Sequence, residues 1–337
     1  LQHSAELALG ERRGAIVALD VNTGAILALT SGPHFDNNIF IHLTDMWSRQ
    51  MVLNDPNLPL LNRAIQGVYP SGSVFKIVTL SAALETGLFN VNSAFNCPGY
   101  WDVFGEANRK ACWLATGHGP ITLLEGLVQS CDVVFYEVGI ALDHKDPTLL
   151  PTYGAAFGLG QRTGIVEIPE AAGLMPTPQW KFDTYLEPWT AGDTVNLAIG
   201  QGFLLVTPLQ VATAYAAVAN GGTLWHPRLM ARIVTASGVT NIIPAAAVED
   251  GPRWQPQNIR VVRQGMRDAV IMCLLLDHGL RVGELVLLQV TDFDMKAGTF
   301  SFYRPKVDQV QTHKLTPRTK HVIAAWLASG NAPTFPD

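Results

Sequence analysis

No stretch of this sequence stays apolar long enough to cross a membrane. The longest unbroken run, 269–276, has eight residues, where a spanning helix needs roughly 18. Charge is also sparse. Only 15% of the 337 residues are charged and the net charge is −5, so no overall basic field exists to recruit nucleic acid or an anionic membrane surface. There are four cysteines, too few for a disulfide scaffold at this length. Repeats, low-complexity segments, an initiator methionine and a signal-peptide pattern are all missing. The chain, beginning Leu1-Gln2-His3, therefore reads as a piece of a longer protein whose remainder would hold any anchor.

What is present is core material. A hydrophobic content of 48% supports one large domain or two smaller ones. Residues 15–21 and 25–30 are apolar, strand-like runs joined by Asn22-Thr23-Gly24, and Asn and Gly tolerate the backbone of a tight hairpin. Tyr69-Pro70-Ser71-Gly72 then breaks structure just before 73–85, an apolar run without Gly or Pro that predicts a buried helix starting near Ser73. From Ile121, the pattern Leu123, Leu124, Leu127 and Val128 predicts a second helix ending near Ser130, followed by another apolar segment over 133–141. Gly200-Gln201-Gly202, Thr207-Pro208 and the run 209–219, closed by Asn220-Gly221-Gly222, read as a loop, a helix and its stop. Four of the eight lysines (Lys296, Lys306, Lys314, Lys320) lie in the last 42 residues, where a helix, hairpin, helix rhythm restarts. That change predicts a domain junction at about Arg267, dividing 1–267 from 268–337.

Ser73 and Lys76 stand three residues apart, a spacing that puts a hydroxyl and an amine on one helix face. A hydroxyl needs a base to act as a nucleophile at neutral pH. A lysine serves if burial favours its neutral form, and Phe75, Ile77 and Val78 supply apolar flanks. Further along, Ser130-Cys131-Asp132 offers a second hydroxyl and a carboxylate, residue types that also serve as ordinary helix caps. With Tyr69-Pro70-Ser71-Gly72 ahead of Ser73, these two segments resemble the first two active-site motifs of penicillin-binding proteins and serine β-lactamases. Residues 14–31, 59–87, 189–201 and 207–227 resemble the transpeptidase domain of class B penicillin-binding proteins, with the elongation-type branch (penicillin-binding protein 2) nearest.

The resemblance implies an α/β (α+β) transpeptidase fold, an antiparallel sheet with a helical subdomain. It implies that Ser73 would attack the D-Ala-D-Ala carbonyl, that Lys76 would take its proton, and that Ser130 would relay a proton to the leaving D-Ala. Asp132 would orient the network. Its charge should also help keep a nearby lysine protonated, opposing the role of base unless another cation balances it.

Cys97, Cys112, His118 and Cys131 are separated by 15, 6 and 13 residues. Three thiolates and an imidazole suit tetrahedral zinc, although the spacing is not that of a paired zinc knuckle. A Cys97–Cys112 disulfide, or three buried thiols, are the alternatives. Elongation-type relatives place zinc ligands in this region, so the resemblance implies a structural zinc and no organic cofactor. A metal there would brace the Ser130 loop.

The family also needs a Lys-Thr-Gly or Lys-Ser-Gly triplet facing the nucleophile, and the sequence has neither. Lys296-Ala297-Gly298-Thr299 offers a lysine but reads as the turn of a hairpin in the second domain. From about Asp268 to Leu327 the chain instead resembles a tyrosine recombinase (phage integrase) catalytic domain. Arg281 would be its first catalytic arginine and Lys306 its lysine, both contacting a phosphate. The resemblance stops before the His-x-x-Arg segment and the nucleophilic tyrosine, so no recombinase chemistry is expected. The transpeptidase fold is accordingly expected to be incomplete at its C-terminal side, joined to a small helix and hairpin fragment.

Together these features predict a peptidoglycan DD-transpeptidase domain for cell-wall cross-linking in elongation and shape maintenance. It would act on stem peptides, be inhibited by β-lactams and work beside a membrane glycosyltransferase. It would sit at the periplasmic face of the bacterial inner membrane, anchored by an N-terminal segment outside this sequence. The alternatives are an inert penicillin-fold module, a serine β-lactamase and a DNA-binding integrase fragment; nucleic acid is not expected as a partner.

Overall fold

In the computed structural model, residues 1–41, 46–238, 240–275, 293–294, 296–297, 299–304 and 309–314 are described. The chain opens with helix α1 (Gln2–Leu9) and the antiparallel pair β1 (Gly14–Leu19) and β2 (Ile26–Gly32). The hairpin forms where expected, and its turn has a local cause. Asp20 Oδ1 accepts from Asn22 N at 2.9 Å and Thr23 Oγ1 at 3.0 Å. Gly24 follows at φ +67°, where an added Cβ would come within 2.6 Å of the His226 carbonyl, so glycine satisfies both backbone and space. Gln2 on α1 continues the ladder on β2. Its side-chain amide donates to Leu29 O at 3.0 Å and accepts from Leu29 N at 2.8 Å, satisfying an edge that would otherwise be bare.

Helices dominate the next part. They are α2 (Met46–Leu53), α3 (Lys76–Glu85), α4 (Leu123–Val128), α5 (Asp132–Lys145), α6 (Leu149–Ala156), α7 (Pro178–Tyr185), α8 (Ala191–Ala198) and α9 (Pro208–Ala219). Short strand pairs between α3 and α4 frame the site. β3 (Ala94–Cys97) pairs with β6 (Gly119–Thr122), and β4 (Tyr100–Trp101) pairs with β5 (Lys110–Ala111). After α9 come the antiparallel strands β7 (Arg232–Val234) and β8 (Thr240–Ile242), then the long helix α10 (Pro256–Leu275).

The core centres on α3. Residues 76–84 are all buried, and a helix apolar on all sides belongs inside a packed layer. Phe135, Val138 and Leu142 of α5, Leu150 of α6, Val195 and Leu197 of α8 and Ile259 and Val262 of α10 share its cluster. Its few polar groups are satisfied within the core. Ser81 Oγ donates to Ile77 O at 2.7 Å and Thr79 Oγ1 to Ala198 O at 2.8 Å. Capping boxes at Thr122/Glu125, Thr190/Asp193 and Thr207/Gln210 fix the starts of α4, α8 and α9.

Two boundaries differ from the sequence expectation. Residues 72–75 form a 3-10 turn, so the α-helix begins at Lys76 and Ser73 precedes it. Glycine at 72, with φ +60°, tightens the chain there. The second expected helix covers only Leu123–Val128, because 119–122 extend as β6. Residue 267, the expected junction, lies within α10. The first half of α10 belongs to the first domain's packing: Gln255 N and Asn258 Nδ2 both donate to Glu85 Oε1 at 3.0 Å.

Beyond α10, β9 (Phe293–Asp294), β10 (Thr299–Arg304) and β11 (Gln309–Lys314) form an antiparallel sheet in the order β11-β10-β9. The register runs from Thr299 opposite Lys314 to Arg304 opposite Gln309. Lys296 and Ala297 lie in the turn between β9 and β10, as the hairpin reading expected. Arg281 and Lys306 lie outside the described residues. Among the described residues no helix is long and apolar enough to cross a membrane.

Candidate active site

Ser73 is exposed in the 3-10 turn, while Lys76, one turn later, is 1% exposed. The residue just before Ser73 is held by a distant segment. Gly72 N donates to Gly200 O at 2.8 Å, and a Cβ on Gly200 would lie 2.1 Å from Gly72 O. Only glycine permits that approach, which gives the Gly200-Gln201-Gly202 loop its place beside the nucleophile.

Ser130-Cys131-Asp132 arrives from the other side. Asp132 opens α5, its carboxylate in the first turn, and no side-chain cap comes from Cys131. The ordinary capping explanation for Ser130 and Asp132 therefore gives way to a different set of bonds. Lys76 Nζ donates to Ser130 O at 2.7 Å, Ser130 Oγ at 3.0 Å and Asp132 Oδ1 at 2.7 Å. Ser130 adopts φ +51°, an uncommon backbone for a non-glycine residue, and both its carbonyl and its hydroxyl reach the amine.

An ammonium has three protons, and here three acceptors take them. None of the bonds goes to Ser73. Deprotonation would leave two N–H donors and a lone pair, the state able to receive a proton from a hydroxyl. Burial lowers the Lys76 pKa from its ordinary 10.5, outweighing Asp132, whose charge and hydrogen bond raise it. The opposition between carboxylate and base foreseen from the sequence is thus real, but desolvation rather than a second cation decides its direction.

Cys97, Cys112, His118 and Cys131 converge behind this network, their ligand atoms all within 4.8 Å of one another. All three cysteines are buried free thiols, with no disulfide among them. His118 Nδ1 lies 3.5 Å from Cys97 Sγ and 3.7 Å from Cys112 Sγ. Tetrahedral zinc, with bonds of about 2.3 Å to sulfur and about 2.0 Å to nitrogen, separates its ligands by roughly 3.5–3.8 Å. The donor set suits that ion, and the two His118–thiol distances fall in that range. The Cys112 thiol is pulled well below its ordinary value, first by its hydrogen bond with Cys131, which is pushed up in turn.

Two neighbours were not singled out from the sequence. Tyr136, one turn after Asp132, is 5% exposed and its phenol is pushed up by burial; Lys110 Nζ sits 5.9 Å over its ring and donates to Asn196 Oδ1 at 2.7 Å. Trp113 donates its backbone N–H to Asp132 Oδ2 at 3.2 Å and its indole Nε1–H to Gln129 O at 3.0 Å. Its position directly after Cys112 was the available signal. A cavity of about 560 Å³ between α6 and the start of α7, lined by Pro151, Ala155, Met175 and Pro178 among others, includes none of these groups.

The family model for the penicillin binding protein transpeptidase domain matches residues 14–272, and that for the phage integrase family matches 256–334. The two overlap within α10. Peptidoglycan D,D-transpeptidase MrdA of Acinetobacter baumannii is 37% identical over 230 residues, 68% of this chain and 34% of the relative. The chain thus spans about a third of that relative's length. The crystal structure of Pseudomonas aeruginosa PBP2 in complex with WCK 5153 superposes with a TM-score of 0.72 at 27% identity, covering 97% of this chain and 71% of that one. A complex of PBP2 with MreC from Helicobacter pylori gives 0.67 at 27% identity, covering 89% and 52%. With the matched segment covering the hairpin, α3 and both active-site motifs, the chain belongs to the penicillin-binding protein transpeptidase domain family.

Proposed function

We propose that this chain is the transpeptidase domain of an elongation-type peptidoglycan DD-transpeptidase, acting on D-Ala-D-Ala stem peptides through an acyl-enzyme. The observation that carries this reading is the buried amine of Lys76, one turn from an exposed Ser73 and bonded to both Ser130 and Asp132. Ser73 Oγ adds to the penultimate D-Ala carbonyl as its proton passes to neutral Lys76 Nζ. The tetrahedral adduct collapses with cleavage of the C–N bond. Ser130, hydrogen-bonded to Lys76, passes a proton to the departing D-Ala amine. An amine from a second stem peptide then attacks the ester, forms the cross-link and returns Ser73 to its hydroxyl.

Cys97, Cys112, His118 and Cys131 would hold a structural zinc that ties β3, the 110–118 segment and the start of α5 together. No step of the reaction passes through it. The full-length protein would work at the periplasmic face of the inner membrane. It would act beside a glycosyltransferase, since cross-linking consumes stem peptides on polymerised strands, and β-lactams would acylate Ser73 as substrate mimics. Residues 268–337 would be a recombinase-derived fragment without recombinase activity.

A second reading, an inert penicillin-fold module, is favoured by one observation, the missing Lys-Thr-Gly or Lys-Ser-Gly triplet, which removes a cation and part of the oxyanion hole. Labelling with a fluorescent penicillin separates the two. A covalent adduct that vanishes in Ser73→Ala supports the transpeptidase, slow release of that adduct argues against a β-lactamase, and no adduct on a folded chain supports the inert module.

A further inference from the structure

One residue touches both flanks of the Ser130-Cys131-Asp132 triplet and also a member of the cysteine cluster. Trp113 follows Cys112 directly. Its backbone N–H holds Asp132 Oδ2 at 3.2 Å while the other carboxylate oxygen takes Lys76 Nζ at 2.7 Å, so the bond orients the carboxylate toward the amine. Its indole N–H holds Gln129 O at 3.0 Å, one residue before Ser130 with its left-handed backbone. The indole also stands edge-on to the His118 ring, with centroids 5.4 Å apart and planes at 69°.

His118 gives this contact particular weight. Nδ1 faces the thiols, whereas Nε2 is buried without a hydrogen-bond partner. Metal-ligating imidazoles are usually oriented by a hydrogen bond from their second nitrogen. Here no such bond exists, and the indole of Trp113 packs against the ring.

We propose that Trp113 is a positioning residue that couples the Cys97, Cys112, His118 and Cys131 cluster to Ser130 and Asp132. Order at the cluster fixes Trp113, whose indole N–H holds Gln129 O and whose backbone N–H holds Asp132 Oδ2. Half of the Trp113 side chain remains exposed (49%), more than burial alone would ask of a tryptophan, so its hydrogen bonds rather than its packing explain its placement.

The proposal rests on the transpeptidase reading for its kinetic arm only. Trp113→Phe keeps an aromatic ring and removes the indole N–H. With the fold and the bound zinc retained, its acylation rate constant with a fluorescent penicillin should fall about tenfold, as outer-shell partners of metal sites do, with noncovalent affinity unchanged. An unchanged rate constant would overturn the proposal, as would a loss confined to melting temperature. If the wild-type chain forms no adduct, the transpeptidase reading fails separately. The coupling is then read from hydrogen exchange at the Trp113 indole N–H, assigned by the signal missing in Trp113→Phe. Exchange should speed up about tenfold when a chelator strips the metal under conditions that keep the far-UV dichroism, the same outer-shell scale; exchange that ignores the metal would sink the idea.

Discussion

Helix α3 and the 129–132 loop present their polar groups to each other, yet they are held by opposite means. In α3 every residue from 76 to 84 is buried, and the helix keeps its place through apolar packing from α5, α6, α8 and α10. In the loop only Cys131 is buried in that core cluster, while Gln129, Ser130 and Asp132 stay partly exposed. Ser130 sits at φ +51°, and its neighbours are tied by hydrogen bonds from Trp113, by the thiols around Cys131 and by Lys76 itself. Hydrophobic burial is non-directional and tolerant, whereas bonds to a few distant groups fail together when one is lost. The candidate catalytic groups thus depend on a robust element on one side and a fragile one on the other.

Removing the proposed zinc should show the largest asymmetry. At free zinc a thousandfold above Kd, bound ion contributes about 4 kcal/mol, a fall of roughly 10 °C in melting temperature for a domain of this size. Chelation or Cys131→Ser should therefore lower the melting temperature by that order and abolish acylation. A chain that melts and acylates identically with and without zinc would show that the loop does not lean on its cluster.

Asp132→Ala is next, since it strands Lys76 in the core without its partner. Breaking a buried pair costs about 3 kcal/mol or more, read by denaturant unfolding. Asp132→Asn keeps the shape and isolates the charge. Acylation needs neutral Lys76, so its rate should rise with pH through the folded pKa, which burial already lowers below 10.5. Because Asp132 raises that value, the Asn variant should move the rise to lower pH. A shift to higher pH would mean that another group is the base.

Much of the robust side was legible in the sequence. The Asn22-Thr23-Gly24 turn, the apolar run after Gly72 and the Thr207-Pro208 start of α9 are local signals, and local chemistry decides them. Ser73, Lys76, Ser130 and Asp132 were legible as motifs, as was the cysteine and histidine cluster by its donor chemistry. The 3-10 geometry at Ser73 was not, because it depends on Gly72 meeting Gly200 across 128 residues of chain. Nor was Gln2 on the edge of β2, or Trp113 between the cluster and Asp132, since neither contact has a periodicity. The junction expected at residue 267 from composition falls within α10, where the two matched family segments overlap.

The smallest expected effect tests whether α3 is as tolerant as its packing implies. Thr79 is fully buried and its hydroxyl makes one bond, to Ala198 O at 2.8 Å. Thr79→Val keeps the shape, gains apolar contact and leaves one carbonyl of α8 without this donor. A single neutral hydrogen bond is worth about 1 kcal/mol, so unfolding should shift by that amount while acylation holds within about twofold, a change of roughly 0.4 kcal/mol. A loss of acylation comparable to that of Trp113→Phe would show that α3 positions Lys76 through specific bonds as well, and the contrast between the two sides of the site would disappear.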